Sequence, residues 1–476
     1  MMKHILPLLT ALLLAVPAAL RAADASVGST PKLNVVFILA DDMRPDCLGA
    51  LGHAGVKTPQ LDALAREGMT FTRAVAAYPI CHVSRAEILT GTSAFRNGVQ
   101  YRGREIDPAL KTWAGTMREA GWRTMYCGKW HNDGTPTRRG YDETRGLFTS
   151  GGAPKGSAPG RDHAGREATG YTGWTFKSDS GEVELTKGVG LTPETDRFIG
   201  DAAVELIQQQ RGRPFFLHVN FTAPHDPRLL PKGFENAYDP ARVPLPANFR
   251  PSHPFDHGNA DGRDEKLLPR PLREDEIRAE LAAYDACISH MDAQVGRIVA
   301  ALRESGLLET TCLIFSSDQG LALGSHGLLG KQNLYEHTFG VPLIFRGPGI
   351  RAGVRSTADC YVRDVFPTAC ELAGVPVPAT VESRSLAPLL RGETQAVHDF
   401  VTGYYTDTQR CIRQGEWKLI RYPFLGKVQL FHLASDPDEL HDLSARQEHG
   451  ETLARLNAAL DGWLAANHDP LAKKSR

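Results

Sequence analysis

Residues 33–42 read Leu33-Asn34-Val35-Val36-Phe37-Ile38-Leu39-Ala40-Asp41-Asp42. An unbroken apolar, β-branched run without polar alternation is how a strand covered on both faces reads, as in a parallel sheet flanked by helices. The run stops abruptly at two acidic residues. Similar runs recur at 123–127, 215–221, 311–315 and 341–345, with helical patterns at 58–67, 110–120, 193–210 and 274–305. Strands alternating with helices predict an α/β fold: a doubly wound, mostly parallel sheet sandwiched by helices. Ligands of such sheets bind beyond the carboxyl ends of the strands, so chemistry is expected in the polar residues that follow each run.

Two stretches interrupt the alternation. Residues 149–190 are rich in Gly, Ser, Thr and Asp, and residues 224–273 in Pro, Asn, Asp and His. Both follow strand ends and exceed ordinary connections, which predicts the walls of a substrate cleft. Their histidines His163, His253 and His257 are expected to be solvated. From about residue 375 short, closely spaced strand patterns at 400–406, 409–413, 417–422 and 429–433 precede a helix at 451–466. They predict a smaller α+β subdomain carrying an antiparallel sheet. The expected organisation is a catalytic domain over 31–375 and this subdomain over 376–476.

At the other end, Lys3 and His4 precede an apolar run over 5–16 and a small-residue stretch over 17–25. That is a signal-peptide pattern covering residues 1–25, with cleavage expected near 22–25 and export to the periplasm or medium. The charge balance is even, 54 basic against 55 acidic residues, which gives no expectation of a nucleic-acid or membrane-surface partner. An anionic substrate must then be held by local positive groups. The eight cysteines show no C-x-x-C pair and no metal-finger spacing. Cys127 and Cys312 fall inside apolar runs and are expected in the core, and no disulfide is assigned.

Asp41-Asp42 closes the first run and Asp318-Gln319 closes the fourth. Such carboxylate and amide oxygens suit Ca²⁺ or Mg²⁺ rather than zinc. Gly128-Lys129-Trp130-His131 follows the second run, where Lys129 and His131 should share one face. Pro224-His225-Asp226-Pro227 follows the third, and Gly330-Lys331-Gln332 lies just after Asp318. Cys81 and Arg85 stand four positions apart, one helical turn, and are expected to meet on one face at a helix start. A sulfur beside a guanidinium and the positive end of a helix dipole is a reactive centre suited to anions.

In this order the segments N-V-V-F-I-L-A-D-D-M-R, T-P-Q-L-D-A-L-A-R-E-G-M-T-F, the Cys81 segment, G-K-W-H, A-P-H-D-P, S-D-Q-G, G-K-Q-N-L-Y-E-H-T-F-G-V-P-L-I-F-R-G-P-G and L-F-H-L-A-S-D-P-D-E-L-H-D-L resemble the formylglycine-dependent (type I) sulfatases of the alkaline-phosphatase superfamily. The resemblance covers nearly the whole mature chain. It implies that Cys81 is oxidised to Cα-formylglycine by a maturation enzyme and that Arg85 stabilises its hydrate. Asp41, Asp42, Asp318, Gln319 and the modified Cys81 would hold one calcium ion. Lys129 and Lys331 would contact sulfate oxygens, His225 would protonate the leaving alcohol and His131 would remove a proton to release sulfate. The expected substrate is a sulfate ester on a saccharide. A phosphonate monoester or phosphodiester hydrolase is the alternative within the superfamily, and an unmatured Cys81 would leave a sulfated-glycan binder. The chain departs from the family pattern at Val83, where Pro or Ala is usual, and at Gln319, where many members have Asn or His.

Overall fold

The computed structural model describes residues 32–473 apart from 54, 100–104 and 211, so the signal-peptide pattern lies outside the described residues. Four strands carry the argument: β1 (Asn34–Ala40), β2 (Arg123–Trp130), β3 (Phe215–Asn220) and β4 (Thr311–Ser317). β1 is buried throughout. Its Val35, Phe37 and Leu39 enter one hydrophobic core and Val36, Ile38 and Ala40 the other, so the apolar run is a strand with helices on both sides. Each fully buried Val, Ile, Leu or Phe contributes about 2 kcal/mol of transfer free energy.

The sheet has nine strands, in the order Val354–Ser356, Met69–Phe71, Leu343–Arg346, β4, β1, β3, β2, Glu143–Thr149, Thr175–Lys177. The five from β4 to Glu143–Thr149 are parallel to one another. Leu343–Arg346 runs antiparallel to β4 and Thr175–Lys177 antiparallel to its neighbour. The register is level where it matters: Leu39 lies opposite Asn220 and Ser316, and Gly128 lies opposite Asn220. One rim of the sheet therefore carries Asp41, Lys129, the turn after Asn220, and Asp318.

Helix α1 (Cys81–Thr90) places Val83, Ala86, Ile88 and Leu89 in the first core. On the opposite face α2 (Thr195–Gln208) and α3 (Glu274–Glu304) pack Ile199, Leu206, Ile288 and Val295 into the second. The helix read at 110–120 is shorter, Trp113–Glu119, because the Thr112 hydroxyl caps it by accepting the Gly115 N–H at 3.2 Å.

At the C-terminus, Val401–Tyr405, Gln409–Gln414, Trp417–Tyr422 and Lys427–His432 form the antiparallel sheet in chain order. Leu456, Leu460 and Leu464 of the helix Gly450–Ala466 cover Ile412, Leu419 and Leu430 on one face. The other face presents Val401, Tyr404, Cys411 and Phe431 to the first core. Tyr404 donates its hydroxyl to Glu87, so this sheet buttresses the helix that begins at Cys81. All eight cysteines are buried and free. Among the described residues no helix is long and apolar enough to cross a membrane.

Candidate active site

Cys81 is the first residue of α1. Ile80 before it is extended, and the helix ends where Gly91, at φ +64°, closes its last turn on the Glu87 carbonyl. Cys81 and Arg85, one turn apart in α1, both reach Asp41. The Cys81 sulfur lies 3.3 Å from Asp41 Oδ1, 4.0 Å from Asp42 Oδ1 and 3.2 Å from Gln319 Nε2. Arg85 donates from Nε to Asp318 Oδ2 and from Nη1 to Asn220 Oδ1, both at 2.8 Å, with Nη2 3.6 Å from Asp41. A buried guanidinium goes to the carboxylate, since leaving either charge unpaired costs several kcal/mol. Burial and then the Asp41 charge push the Cys81 thiol far above its ordinary value, so the unmodified sulfur stays protonated and is a poor nucleophile.

The carboxylates are held by backbone geometry. Asp42 sits at φ +70°, a left-handed conformation costing about 1 kcal/mol for a non-glycine residue. It is fixed there by its N–H on Asp318 Oδ1 (3.1 Å) and by the Tyr284 hydroxyl on its carbonyl (2.7 Å). Lys129 Nζ lies 2.5 Å from Asp41 Oδ2, and Lys331 Nζ 3.0 and 2.8 Å from the two oxygens of Asp42. The lysine on β2 depends on the glycine before it. Gly128 adopts φ +89° at a break in register, and a Cβ there would lie 1.9 Å from the Asn220 carbonyl oxygen.

His225 Nε2 faces Asp42 Oδ2 at 3.6 Å, while Nδ1 lies 2.5 Å from the Asp226 carbonyl and 3.2 Å from its carboxylate. Arg263 clamps that carboxylate at 2.5 and 2.9 Å. Burial, and then the Lys331 charge, lower the His225 pKa to about 3. His131 is placed differently from the rest. Among the described residues it makes no hydrogen bond to the cysteine or the carboxylates and lies half-buried at the rim of a cavity of about 370 Å³, with His82, Trp130 and Asn132. Its ring meets Trp174 edge-on at 5.2 Å. Burial, then Lys129 and His82, lower its pKa as well, so both imidazoles are neutral here rather than in opposite states.

The residues fit a hard divalent cation. Asp41, Asp42 and Asp318 are fully buried together, and burial with mutual repulsion raises Asp42 to about 7 and Asp318 to about 6. At Asp41 burial is overturned by Lys129, His225 and Arg85, and its pKa falls. Gln319 Oε1 is buried with no hydrogen-bond partner, as are Arg85 Nη2, Asn220 Nδ2 and His131 Nδ1. Buried polar atoms are satisfied in the great majority of cases, so an unpartnered acceptor beside three carboxylates and the unpartnered donors of Arg85 and Asn220 fit a cation and an anion bound together.

Several site residues had no visible signal. Tyr171, at φ +56° in the first long stretch, donates its hydroxyl to Asp41, sets its ring 4.7 Å from His225 and lies 5.1 Å from Lys129 Nζ. Arg263 comes from the second. The loop histidines are not solvated: His257 is 1% exposed, His253 Nδ1 lies 2.8 Å from the His326 carbonyl, and His163 pairs with Glu280 at 3.1 Å. Their loops fold inward over the sheet rim, where polar composition alone suggested solvent.

A family model described as Sulfatase matches residues 33–375, and one described as N-sulphoglucosamine sulphohydrolase, C-terminal, matches residues 324–465. The chain is 29% identical over 455 residues to an arylsulfatase of Clostridium perfringens, covering 90% of this chain and 94% of that protein. Its fold is similar to that of a protein solved with its substrate D-glucosamine-2-N,6-O-disulfate (TM-score 0.77, 22% identity, 94% of this chain and 100% of that one). It is also similar to the phosphonate monoester hydrolase of Agrobacterium radiobacter (TM-score 0.75, 23% identity, 92% and 96%). A cysteine ringed by carboxylates, lysines and a histidine at parallel-strand ends, within a match to most of the chain, places this protein in the sulfatase family, the formylglycine-dependent type I enzymes of the alkaline-phosphatase superfamily, as a sulfuric ester hydrolase.

Proposed function

We propose that the protein is an exported sulfatase that removes a sulfate ester from a carbohydrate, with Cys81 converted to Cα-formylglycine and calcium held by Asp41, Asp42, Asp318 and Gln319. One observation carries this reading: the Cys81 sulfur lies within hydrogen-bonding reach of Asp41 and Gln319, inside a ring closed by Arg85, Lys129, Lys331 and His225. Cys81 is 2% exposed and helical, so a maturation enzyme must act before α1 folds. Val83 would then be read in an extended peptide.

The formylglycine hydrate would supply the attacking hydroxyl, and calcium would acidify it and neutralise sulfate charge. The chain's own groups do the rest. Lys129 and Lys331 stabilise charge on the sulfate oxygens, and Arg85 Nη2 offers a further donor. His225 Nε2 hands a proton to the leaving alcohol, taking that proton up as the anionic ester arrives. Asp226, clamped by Arg263, holds the His225 ring and stabilises its imidazolium. His131 Nδ1 is the base for the release step. The carbohydrate assignment rests on the match to the N-sulphoglucosamine sulphohydrolase C-terminal model and on the sulfated-sugar complex of the similar fold.

The test is sulfate release from a panel of sulfated saccharides by calcium-loaded protein whose Cys81 peptide carries the aldehyde mass. Release that disappears in Cys81→Ala supports the reading, and silence across the panel refutes it. The second reading, phosphonate monoester or phosphodiester hydrolysis, draws on the fold shared with the Agrobacterium enzyme. Faster turnover of a phosphoester than of its matched sulfate would favour it. A Cys81 peptide that keeps its thiol after co-expression with a maturation enzyme would favour a glycan binder. Export is tested by finding mature protein in the periplasm or medium with its N-terminus near residue 23 or 26.

A further inference from the structure

Helix α3 buries three carboxylates, Glu280, Asp285 and Asp292, each 5% exposed or less. Glu280 is paired with Arg228, Arg166 and His163, and Asp292 accepts the N–H groups of Gln60 and Leu61 at 3.1 and 2.8 Å. Asp285, 2% exposed, has neither a hydrogen bond nor an ion pair among the described residues. Burial, followed by the Asp46 charge, raises its pKa to about 7. A buried, unpartnered carboxylate costs stability unless a cation meets it.

The side chains that do meet it come from the loop after β1. One donor atom each from Cys47, His53 and Asp285 lie within 4.8 Å of one another. Cys47 is 2% exposed, and burial lowers the pKa of His53, keeping the ring neutral as a metal ligand requires. The nearest guanidinium, Arg44, is already forked onto Asp46 at 2.9 and 3.0 Å. We propose that Cys47, His53 and Asp285 form a second metal site, specific for a borderline divalent cation of the zinc class, which pins the loop carrying Asp41 and Asp42 to α3.

Donor chemistry separates this site from the catalytic one. Thiolate, imidazole and carboxylate suit zinc, whereas the oxygen set around Cys81 suits calcium. The charges balance: one thiolate and one carboxylate neutralise the ion, and water completes a fourth position. Cys47, whose thiol burial and Asp46 push well above its ordinary value, must lose its proton to the solvent as the cation enters. His53 Nδ1 already accepts the N–H groups of Gly55 (3.3 Å) and Val56 (3.0 Å). These compete with a metal at that nitrogen, so affinity is expected below that of a closed four-ligand structural site.

The probe is Co²⁺, displaced by Zn²⁺, titrated into full-length protein in which Cys81→Ser removes the thiol of the catalytic cluster and excess calcium fills the oxygen site. A near-ultraviolet thiolate-to-cobalt band that saturates at one equivalent is expected. Adding Cys47→Ser should abolish the band, and adding Asp285→Asn should weaken zinc binding at least tenfold. Zinc should also raise the melting temperature of the parent and raise that of the Asp285→Asn protein markedly less. Absence of the band, or zinc affinity unchanged by Asp285→Asn, overturns the proposal. Because Asn keeps the shape of Asp, that variant decides the matter even if Cys47→Ser fails to fold.

Discussion

With calcium at the proposed site, its removal should destabilise the protein in a way that grows with pH. Asp42 moves from its ordinary 3.8 to about 7, and Asp318 from 3.8 to about 6. Their folded pKa values lie above the unfolded ones, so the metal-free fold holds protons that the unfolded chain has released. Stability therefore falls as pH rises from about 4 to 7 and is flat beyond. Asp41 has the opposite sign, but its contribution is complete above about pH 5 and leaves most of this window untouched. At about 1.4 kcal/mol per tenfold in proton affinity, Asp42 alone sets a cost of about 4 kcal/mol and Asp318 one of about 3 kcal/mol. The two carboxylates share neighbours and do not add, so a total on the order of 4 kcal/mol is expected. Calcium needs these carboxylates ionised. Its stabilisation should thus be slight at pH 5 and several kcal/mol larger at pH 8, with protons released on binding near pH 5.5 and almost none at pH 8. Urea unfolding with calcium and with chelator at both pH values, plus potentiometric titration of calcium into weakly buffered protein, measures both. Equal calcium stabilisation at both pH values, or binding without proton release, would refute the reasoning.

Three substitutions test the surrounding parts. Gly128→Ala puts a Cβ 1.9 Å from a backbone oxygen at positive φ, so it should cost on the order of 3 kcal/mol and misplace Lys129; melting temperature and sulfate release should both fall. Tyr171→Phe removes the hydroxyl on Asp41 and keeps the ring beside His225 and Lys129, so kcat/KM should drop roughly tenfold with the fold intact. Near wild-type kinetics would show that the hydroxyl is dispensable. Arg263→Gln leaves the Asp226 charge uncompensated beside His225 and should raise the pH–rate limb set by that histidine by about 1 unit. An unmoved profile would separate this ion pair from proton transfer.

What was legible in the sequence is what burial imposes on composition. β1 could be read because both of its faces are covered, and Asp41-Asp42 stood out because acidic residues at the end of such a strand have no place in a core. Glu143–Thr149 escaped because Glu143 and Arg145 interrupt its apolar residues, as expected toward a sheet edge. The four-residue spacing of Cys81 and Arg85 did place them in one turn. Spacing holds no information about Asp318, which lies 233 positions from Arg85 and takes its guanidinium. Tyr171 and Arg263 reach the site from irregular chain, where no periodicity constrains direction. His131 was grouped with Lys129 by strand alternation, but β2 ends at Trp130, so alternation no longer fixes its direction and it lies at the rim.

The ion pairs give a reason why metal and anion would bind together at the proposed site. Each cation at the centre has a short ion pair to its own carboxylate, Lys129 to Asp41, Lys331 to Asp42 and Arg85 to Asp318, and Arg85 also reaches Asp41 at 3.6 Å. Three against three leaves the cluster neutral, with its lysines turned inward and little field for a sulfate ester. A divalent ion bound by the carboxylates changes that balance by two charges and competes for the oxygens the lysines now hold. The ammonium groups then need a new anionic partner, and a sulfate group beside Cys81 supplies it. The same three carboxylates that silence the lysines without calcium would, with it, leave them free to hold substrate, and linkage makes that coupling reciprocal. Gln319 fits this scheme because it adds an oxygen without adding charge: a fourth carboxylate in its place would cancel part of the positive field the anion requires.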